Sequence, residues 1–188
     1  MDRRSFIVAG AASAGVWTGT KLRAQPAAAV VPEAYMPRFV RVREVGPFEI
    51  HVLPREFALL WTLPEGRAIR YTVGVGRADL YQAGVFRVGA KREWPPWTPT
   101  PNMIARHPEE YGRWADGMPG GPHNPLGARA LYLFTAGGAD TFLRIHGTNE
   151  PHTIGSRVSQ GCVRLVNSHV AHLYEQVPIG TRVVLHRG

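Results

Sequence analysis

Short runs of β-branched and aromatic residues, each closed by a glycine- or proline-bearing turn, recur along most of this chain and constrain its architecture more than any other feature. Residues 39–45, 48–53, 57–63 and 68–75 have this character, and residues 85–88, 130–134, 141–145 and 182–186 repeat it. Runs of this length suit strands. Val45-Gly46-Pro47, Leu63-Pro64-Glu65-Gly66 and Gly137-Gly138-Ala139-Asp140 punctuate them, and Pro178-Ile179-Gly180 precedes the last. Glycine admits positive φ and proline pre-sets a turn torsion, so such clusters reverse the chain. The 21 glycines and 16 prolines argue against a helical bundle. One stretch reads as a helix, residues 168–176, where Val170, Leu173, Tyr174 and Val177 recur at helical spacing. Asn167 or Ser168 stands where its N-cap belongs. Many strands and a single short helix predict a mainly β fold, sandwich or barrel-like.

Residues 94–127 break the pattern. Trp94-Pro95-Pro96-Trp97-Thr98-Pro99-Thr100-Pro101 cannot be a central strand, because its prolines remove ladder donors. Met118-Pro119-Gly120-Gly121-Pro122 and Asn124-Pro125-Leu126-Gly127 continue the irregular run. A stretch this long inside a compact domain is a binding loop or lid, or else disordered. Trp94, Trp97, Tyr111 and Trp114 argue against disorder. The segment reads as a long Pro/Gly/Trp-rich loop flanking a substrate cleft, the alternative being that its rings only pack it onto the sheet.

A length of 188 residues suits one domain with a proper core. The first residues read as an address. Arg3 and Arg4 precede a short Ala- and Gly-rich apolar stretch, and Leu22-Arg23-Ala24 supplies a cut site. Arg-Arg-x-Phe-Ile resembles a twin-arginine export signal, with an uncut basic anchor as the alternative. The expected organisation is an export signal over residues 1–24, a linker over 25–37 and a catalytic domain over 38–188, working in the periplasm or cell envelope. The formal charge is +8. Arg3, Arg4, Lys21 and Arg23 against Asp2 account for part of it, leaving about +5 after a cut at Ala24. That excess attracts anionic polymers. The cations are scattered and no nucleic-acid motif accompanies them, so an anionic wall or membrane surface is expected as partner and nucleic acid is not.

An exported chain with one cysteine cannot close an internal disulfide. Cys162 is therefore a buried small residue, a partner for another chain, or a reactive thiol. Its setting is Ser159-Gln160-Gly161-Cys162-Val163-Arg164. Gly161 lets the backbone approach a substrate, and the amides of Gly161 and Cys162, with Gln160, are placed to aim at a developing oxyanion. Arg164, two residues on, shares a face with Cys162 if the segment is extended. There it binds a substrate carboxylate or helps lower the thiol pKa, the alternative being a surface salt bridge. His146 ends the run 141–145 and precedes Gly147-Thr148, a position from which a histidine faces a cleft and receives a thiol proton. An imidazolium–thiolate pair near neutral pH is the expected resting state. No acid stands nearby, so the carbonyl of Gly147 is the candidate for orienting the ring.

Arg144-Ile145-His146-Gly147-Thr148, followed by Ser159-x-Gly161-Cys162-Val163-Arg164, closely resembles the L,D-transpeptidase catalytic domain family, the ErfK/YbiS-like cysteine transpeptidases of peptidoglycan. Asn124-Pro125-Leu126-Gly127 and Gly180-Thr181-x-Val183-Val184 look like that family too, and the likeness runs over residues 48–185. The resemblance implies a β-sandwich enzyme of cell-wall biogenesis and cell shape. Its cysteine attacks the amide between the third residue of a peptidoglycan tetrapeptide stem and the terminal D-Ala. A thioester forms and an amine acceptor, a second stem or an envelope protein, resolves it. By position Cys162 is the nucleophile, His146 the base and Gly147 the orienting carbonyl. Gly161, Gln160, Ser159 and Arg164 form the oxyanion and substrate-binding segment. No cofactor or metal is implied. Many members carry His where this chain has Gln160, which changes the polarity of the site. Water as acceptor would make a carboxypeptidase, and an inert Cys162 a wall-binding module. His169 and His172 read as a surface helix face rather than a metal pair. His152 is given no role. Gly74-x-Gly76 lacks the third glycine of a dinucleotide fingerprint.

Overall fold

The extended runs become strands in the computed structural model, which describes residues 31–188. The expected export signal and the first part of the linker lie outside the described residues. The strands are β1 (Arg38–Arg41), β2 (Ile50–Leu53), β3 (Ala58–Leu63), β4 (Arg67–Thr72), β5 (Val75–Gly76) and β6 (Gly84–Glu93). Two short helices follow, α1 (Pro101–Arg106) and α2 (Pro108–Tyr111). The chain continues through β7 (Arg129–Phe134), β8 (Asp140–His146), β9 (Arg157–Ser159), β10 (Val163–Arg164), α3 (Asn167–Gln176) and β11 (Arg182–Leu185). Nine strands form one sheet in the order β1-β4-β3-β2-β11-β6-β7-β8-β10, and β5 pairs with β9. Neighbours are antiparallel except β2–β11, β8–β10 and β5–β9.

The end strand β10 is tied to the segment that follows β4, next to the opposite end strand β1. Gly74, just past β4, exchanges backbone hydrogen bonds of 2.8 Å in both directions with Arg164 of β10. The sheet therefore curls back on itself, which gives the barrel-like character expected from the strand pattern and leaves fewer unpaired edges. Its interior holds Ile50, Val52, Leu59, Trp61, Tyr71, Leu131, Leu133, Ile145, Leu165 and Val183, closed on one side by Val170 and Leu173 of α3. Burial of this apolar surface at roughly 25 cal/mol per Å² is the main stabilising term.

Three expectations need correction. The 94–127 segment is ordered as expected, but α1 and α2 lie within it, so the fold has more than one helix. Thr100 caps α1 through a 3.3 Å bond from Met103 N, and Pro101 occupies the first turn. Second, neither Asn167 nor Ser168 caps α3; Val166 stands at the N-cap and makes no side-chain cap bond. Third, His169 is not on a surface face. It is buried against Tyr71, while His172 at the exposed edge bonds the Tyr71 hydroxyl at 2.8 Å. Among the described residues no cluster of three or more metal-ligating side chains occurs.

Candidate active site

The parallel pairing of β8 with β10 assembles the site. The register sets Val163 beside Ile145 and Arg164 beside His146. One step back along both strands places Cys162 beside Arg144. Because side chains alternate along a strand, Arg144, His146, Cys162 and Arg164 all project to one face. Segments separated by a loop in sequence thus meet through two residues of sheet pairing.

Cys162 is half-buried at the floor of a cleft of about 810 Å³. Its Sγ lies 3.9 Å from the carbonyl oxygen of Phe142, and the backbone N–H of Arg144 also reaches the sulfur. Burial nevertheless dominates and pushes the thiol above its ordinary pKa. His146 is buried, and its Nδ1 meets the Gly147 carbonyl at 2.6 Å, the partner expected from the sequence. That contact requires the neutral ring to carry its proton on Nδ1, leaving Nε2 as acceptor. Burial, followed by the charge of Arg164, lowers the imidazole pKa to about 3. Both shifts favour a thiol and a neutral imidazole at rest. The expected preformed ion pair is not what this environment favours, because desolvation penalises both charges.

The segment before the thiol makes a tight turn. Gly161 has φ +122, a conformation side chains avoid, which accounts for glycine at that position. The Ser159 hydroxyl donates to the Cys162 carbonyl and accepts from Gly161 N at 3.3 Å. Ser159 thus shapes the turn from a buried position, and the Gly161 amide is partly engaged within it. Gln160 lines the cleft and turns outward, where its Oε1 accepts from Arg106 Nη2 of α1 at 2.9 Å. Gln160 thus latches the loop to the segment that carries Cys162. Arg164 makes the salt bridge that was one of its expected roles, though from a buried rather than a surface position, and its charge also lowers the thiol pKa. It is buried, with Nη1 3.3 Å from Glu150 and Nη2 2.7 Å from the Thr153 hydroxyl. It braces the 150–153 turn behind His146 and is absent from the cleft lining.

Two residues assigned no role from sequence belong to the site. Arg144 lines the cleft, forks onto Asp140 at 2.6 and 2.8 Å and lies 4.1 Å over the Tyr132 ring. It is the cation nearest the sulfur in effect, ahead of Arg164. Phe142 adopts φ +60 inside β8 and is 70% exposed. A bulky residue at positive φ marks local strain, and here it sits in an irregular β7–β8 pairing whose carbonyl faces the thiol. The Arg-x-His spacing and the doubled turn residues near 138–140 hint at these, but a bulge inside a strand carries no sequence mark.

The opposite wall is the loop. Pro96, Trp97, Thr98, Met103 and Arg106 face Tyr132, Phe142 and Cys162 across the cleft. Trp97 exchanges backbone bonds with Met118 and packs edge-on to Tyr111 at 6.0 Å. Buried Asn124 closes the far end by donating to the carbonyls of Met118 and Pro119 and accepting from Leu126 N at 2.8 Å. The rings therefore both order the loop and line the cleft. His152 sits on an exposed turn outside the lining.

Residues 47–185 match the sequence profile of the YkuD family, the L,D-transpeptidase catalytic domain. A probable L,D-transpeptidase ErfK/SrfK of Escherichia coli (strain K12) is 43% identical over 96 residues, 51% of this chain and 29% of that protein. A putative L,D-transpeptidase from Fuscovulum blasticum is 44% identical over 93 residues, 50% of this chain and 44% of that protein. The aligned parts are thus less than half of these relatives. A crystal structure of a probable carnitine operon oxidoreductase (caia) from Brucella melitensis shares 44% identity. It superposes with a TM-score of 0.58 over 84% of this chain and 96% of that one. An L,D-transpeptidase from Enterococcus faecium, 17% identical, shares the fold with a TM-score of 0.56 over 76% of this chain and 50% of that one.

Proposed function

The chain belongs to the L,D-transpeptidase catalytic domain family, and from that premise we propose that it is a cysteine acyltransferase acting on peptidoglycan tetrapeptide stems outside the cytoplasm. The observation that carries this reading is the register of β8 and β10, which sets Cys162 in the cleft lining and His146, buried outside that lining, two residues along on the same face. A half-buried thiol and a histidine locked by a 2.6 Å bond to its neighbour's carbonyl project from adjacent parallel strands on one face.

In this mechanism Cys162 Sγ attacks the carbonyl carbon of the amide between the third stem residue and terminal D-Ala. His146 Nε2 takes the thiol proton as the S–C bond forms. Because the resting pair is neutral, the base is available over neutral and mildly acidic pH and thiolate appears only with attack. The Cys162 amide receives the oxyanion, with Gly161 as second donor when its long contact to Ser159 gives way. Collapse breaks the C–N bond, and His146 returns the proton to the departing D-Ala amine, leaving a thioester on Cys162. An acceptor amine attacks that thioester, gives its proton to His146 and becomes the new amide as Cys162 leaves and is reprotonated. Arg106 and Arg144 put positive charge on the cleft walls, which suits a stem bearing carboxylates. The twin-arginine-like start of the chain supports an exported site of action.

The test is release of D-Ala from a disaccharide tetrapeptide by the full chain, with and without an added amine. The reading expects release that requires Cys162 and a new amide when amine is supplied. Release with only water incorporated would make the enzyme a carboxypeptidase. Absence of release from a folded protein would favour a wall-binding module.

A further inference from the structure

Asn167 opens α3, yet its side chain serves something other than the helix. Its Oδ1 accepts from Ala128 N at 3.0 Å and from Thr148 N at 3.1 Å. Ala128 follows the Asn124-Pro125-Leu126-Gly127 motif that closes the loop, and Thr148 follows His146-Gly147. One carboxamide oxygen therefore joins the helix, the end of the cleft loop and the strand end that bears the histidine. The space around it admits nothing larger than glycine. A Cβ on Gly147 would stand 2.2 Å from Oδ1, and one on Gly127, at φ +62, would stand equally close. The glycines of both motifs are accounted for by the carboxamide they enclose.

The peptide unit between Gly147 and Thr148 is planar, so the direction of the Thr148 N–H fixes that of the Gly147 carbonyl. This carbonyl is the one that meets His146 Nδ1. The neighbouring backbone is held by main-chain bonds, Gly147 N to Arg129 O at 3.0 Å and Leu165 N to His146 O at 2.8 Å. Of these restraints, only the one on Thr148 N comes from a side chain.

We propose that Asn167 is a positioning residue for His146: by clamping the 147–148 peptide plane it aims the carbonyl that selects the Nδ1-protonated tautomer and leaves Nε2 free for the thiol proton. Asn167 touches neither the sulfur nor the cleft. The catalytic consequence rests on the reading of Cys162 and His146 as nucleophile and base, whereas the structural one does not.

Nitrogen-15 NMR of the histidines in the full chain, with single-turnover acylation by a disaccharide tetrapeptide, separates the two. Wild type should show His146 as one neutral tautomer with the proton on Nδ1. Asn167→Ala should mix the tautomers and raise the pH of the acid limb of acylation, since a loosened ring is better solvated. The acylation rate should fall by about tenfold to a hundredfold with KM little changed, the scale expected for a misplaced catalytic group. Asn167→Asp keeps the acceptor oxygen and should restore both tautomer and rate. Thr62→Val removes a buried hydroxyl that bonds the Glu49 backbone on a distant strand. It should lower stability without moving the tautomer or the acid limb. If Asn167→Ala does not fold, Asn167→Gln, which moves the oxygen by one methylene, takes its place with the same expectations. An alanine or glutamine variant that keeps the wild-type tautomer and acid limb overturns the proposal, as does a folded Asp variant that fails to recover them. If wild type forms no acyl-enzyme, the transpeptidase reading fails, while the tautomer comparison still decides the role of Asn167.

Discussion

The Cys162 sulfur and the His146 ring are both held in environments that resist charge, and this sets how the free protein reacts. The thiol is pushed up by burial, so its alkylation by iodoacetamide should climb steadily with pH and show no plateau between about pH 5 and 8, where an activated thiolate would give one. A plateau in that window would restore the ion pair expected from sequence. Gly147→Ala drives a Cβ into the Asn167 carboxamide. It should cost on the order of 2 kcal/mol in stability by urea denaturation, the scale of overpacking, and depress acylation with it. At this scale the sequence was most informative where function is local. Cys162, His146 and the Gly147 carbonyl stand in contiguous motifs. Their protonation was not legible, because desolvation comes from strands and loops distant in sequence. Which of its two expected roles Arg164 takes was not legible either, because its partners Glu150 and Thr153 lie in a turn whose path no periodicity announces.

Among the elements, the 94–127 segment supplies one wall of the cleft. Its prolines and glycines excluded a central strand, and its tryptophans foretold order. The helices inside it escaped notice because each is too short to show a period, although Thr100-Pro101 is a cap followed by a first-turn proline. The bond from Arg106 to Gln160 ties this segment to the Cys162 turn. Arg106→Ala should raise KM for the tetrapeptide by about tenfold with kcat little altered, as loss of uniform binding does. An unchanged KM would remove Arg106 from substrate binding. Asn167 shows how one side chain can belong to two elements. At a helix start it reads as a cap, and only the folded chain reveals that its acceptor is spent on Ala128 and Thr148.

For the whole molecule, the strand-rich pattern was legible because short β-branched and aromatic runs bounded by turn residues coincide with most strands, and the sheet's closure through Gly74 and Arg164 was not, because long-range pairing leaves no local trace. Burial of His146 favours its neutral state, with a consequence for stability. Its folded pKa of about 3 lies below the ordinary 6.5. The unfolded chain therefore binds the extra proton between these values, and stability present above about pH 6.5 is lost as pH falls toward about 3. The contribution of this buried group is on the order of a few kcal/mol. Urea denaturation across that range should show a shallower acid loss for His146→Gln. A residual slope should remain from His51 and His169, which burial also depresses. Equal slopes in both proteins would contradict the buried neutral ring.

The central claim is that Cys162 forms a thioester with a wall peptide. Intact-mass spectrometry of the full chain and of Cys162→Ala, each mixed with a disaccharide tetrapeptide, tests it most directly. The account predicts an adduct on the wild-type chain equal to substrate minus D-Ala, absent from the alanine variant and discharged by an added amine. A folded wild-type chain that carries no adduct and releases no D-Ala, or an alanine variant that carries the same adduct, would contradict it.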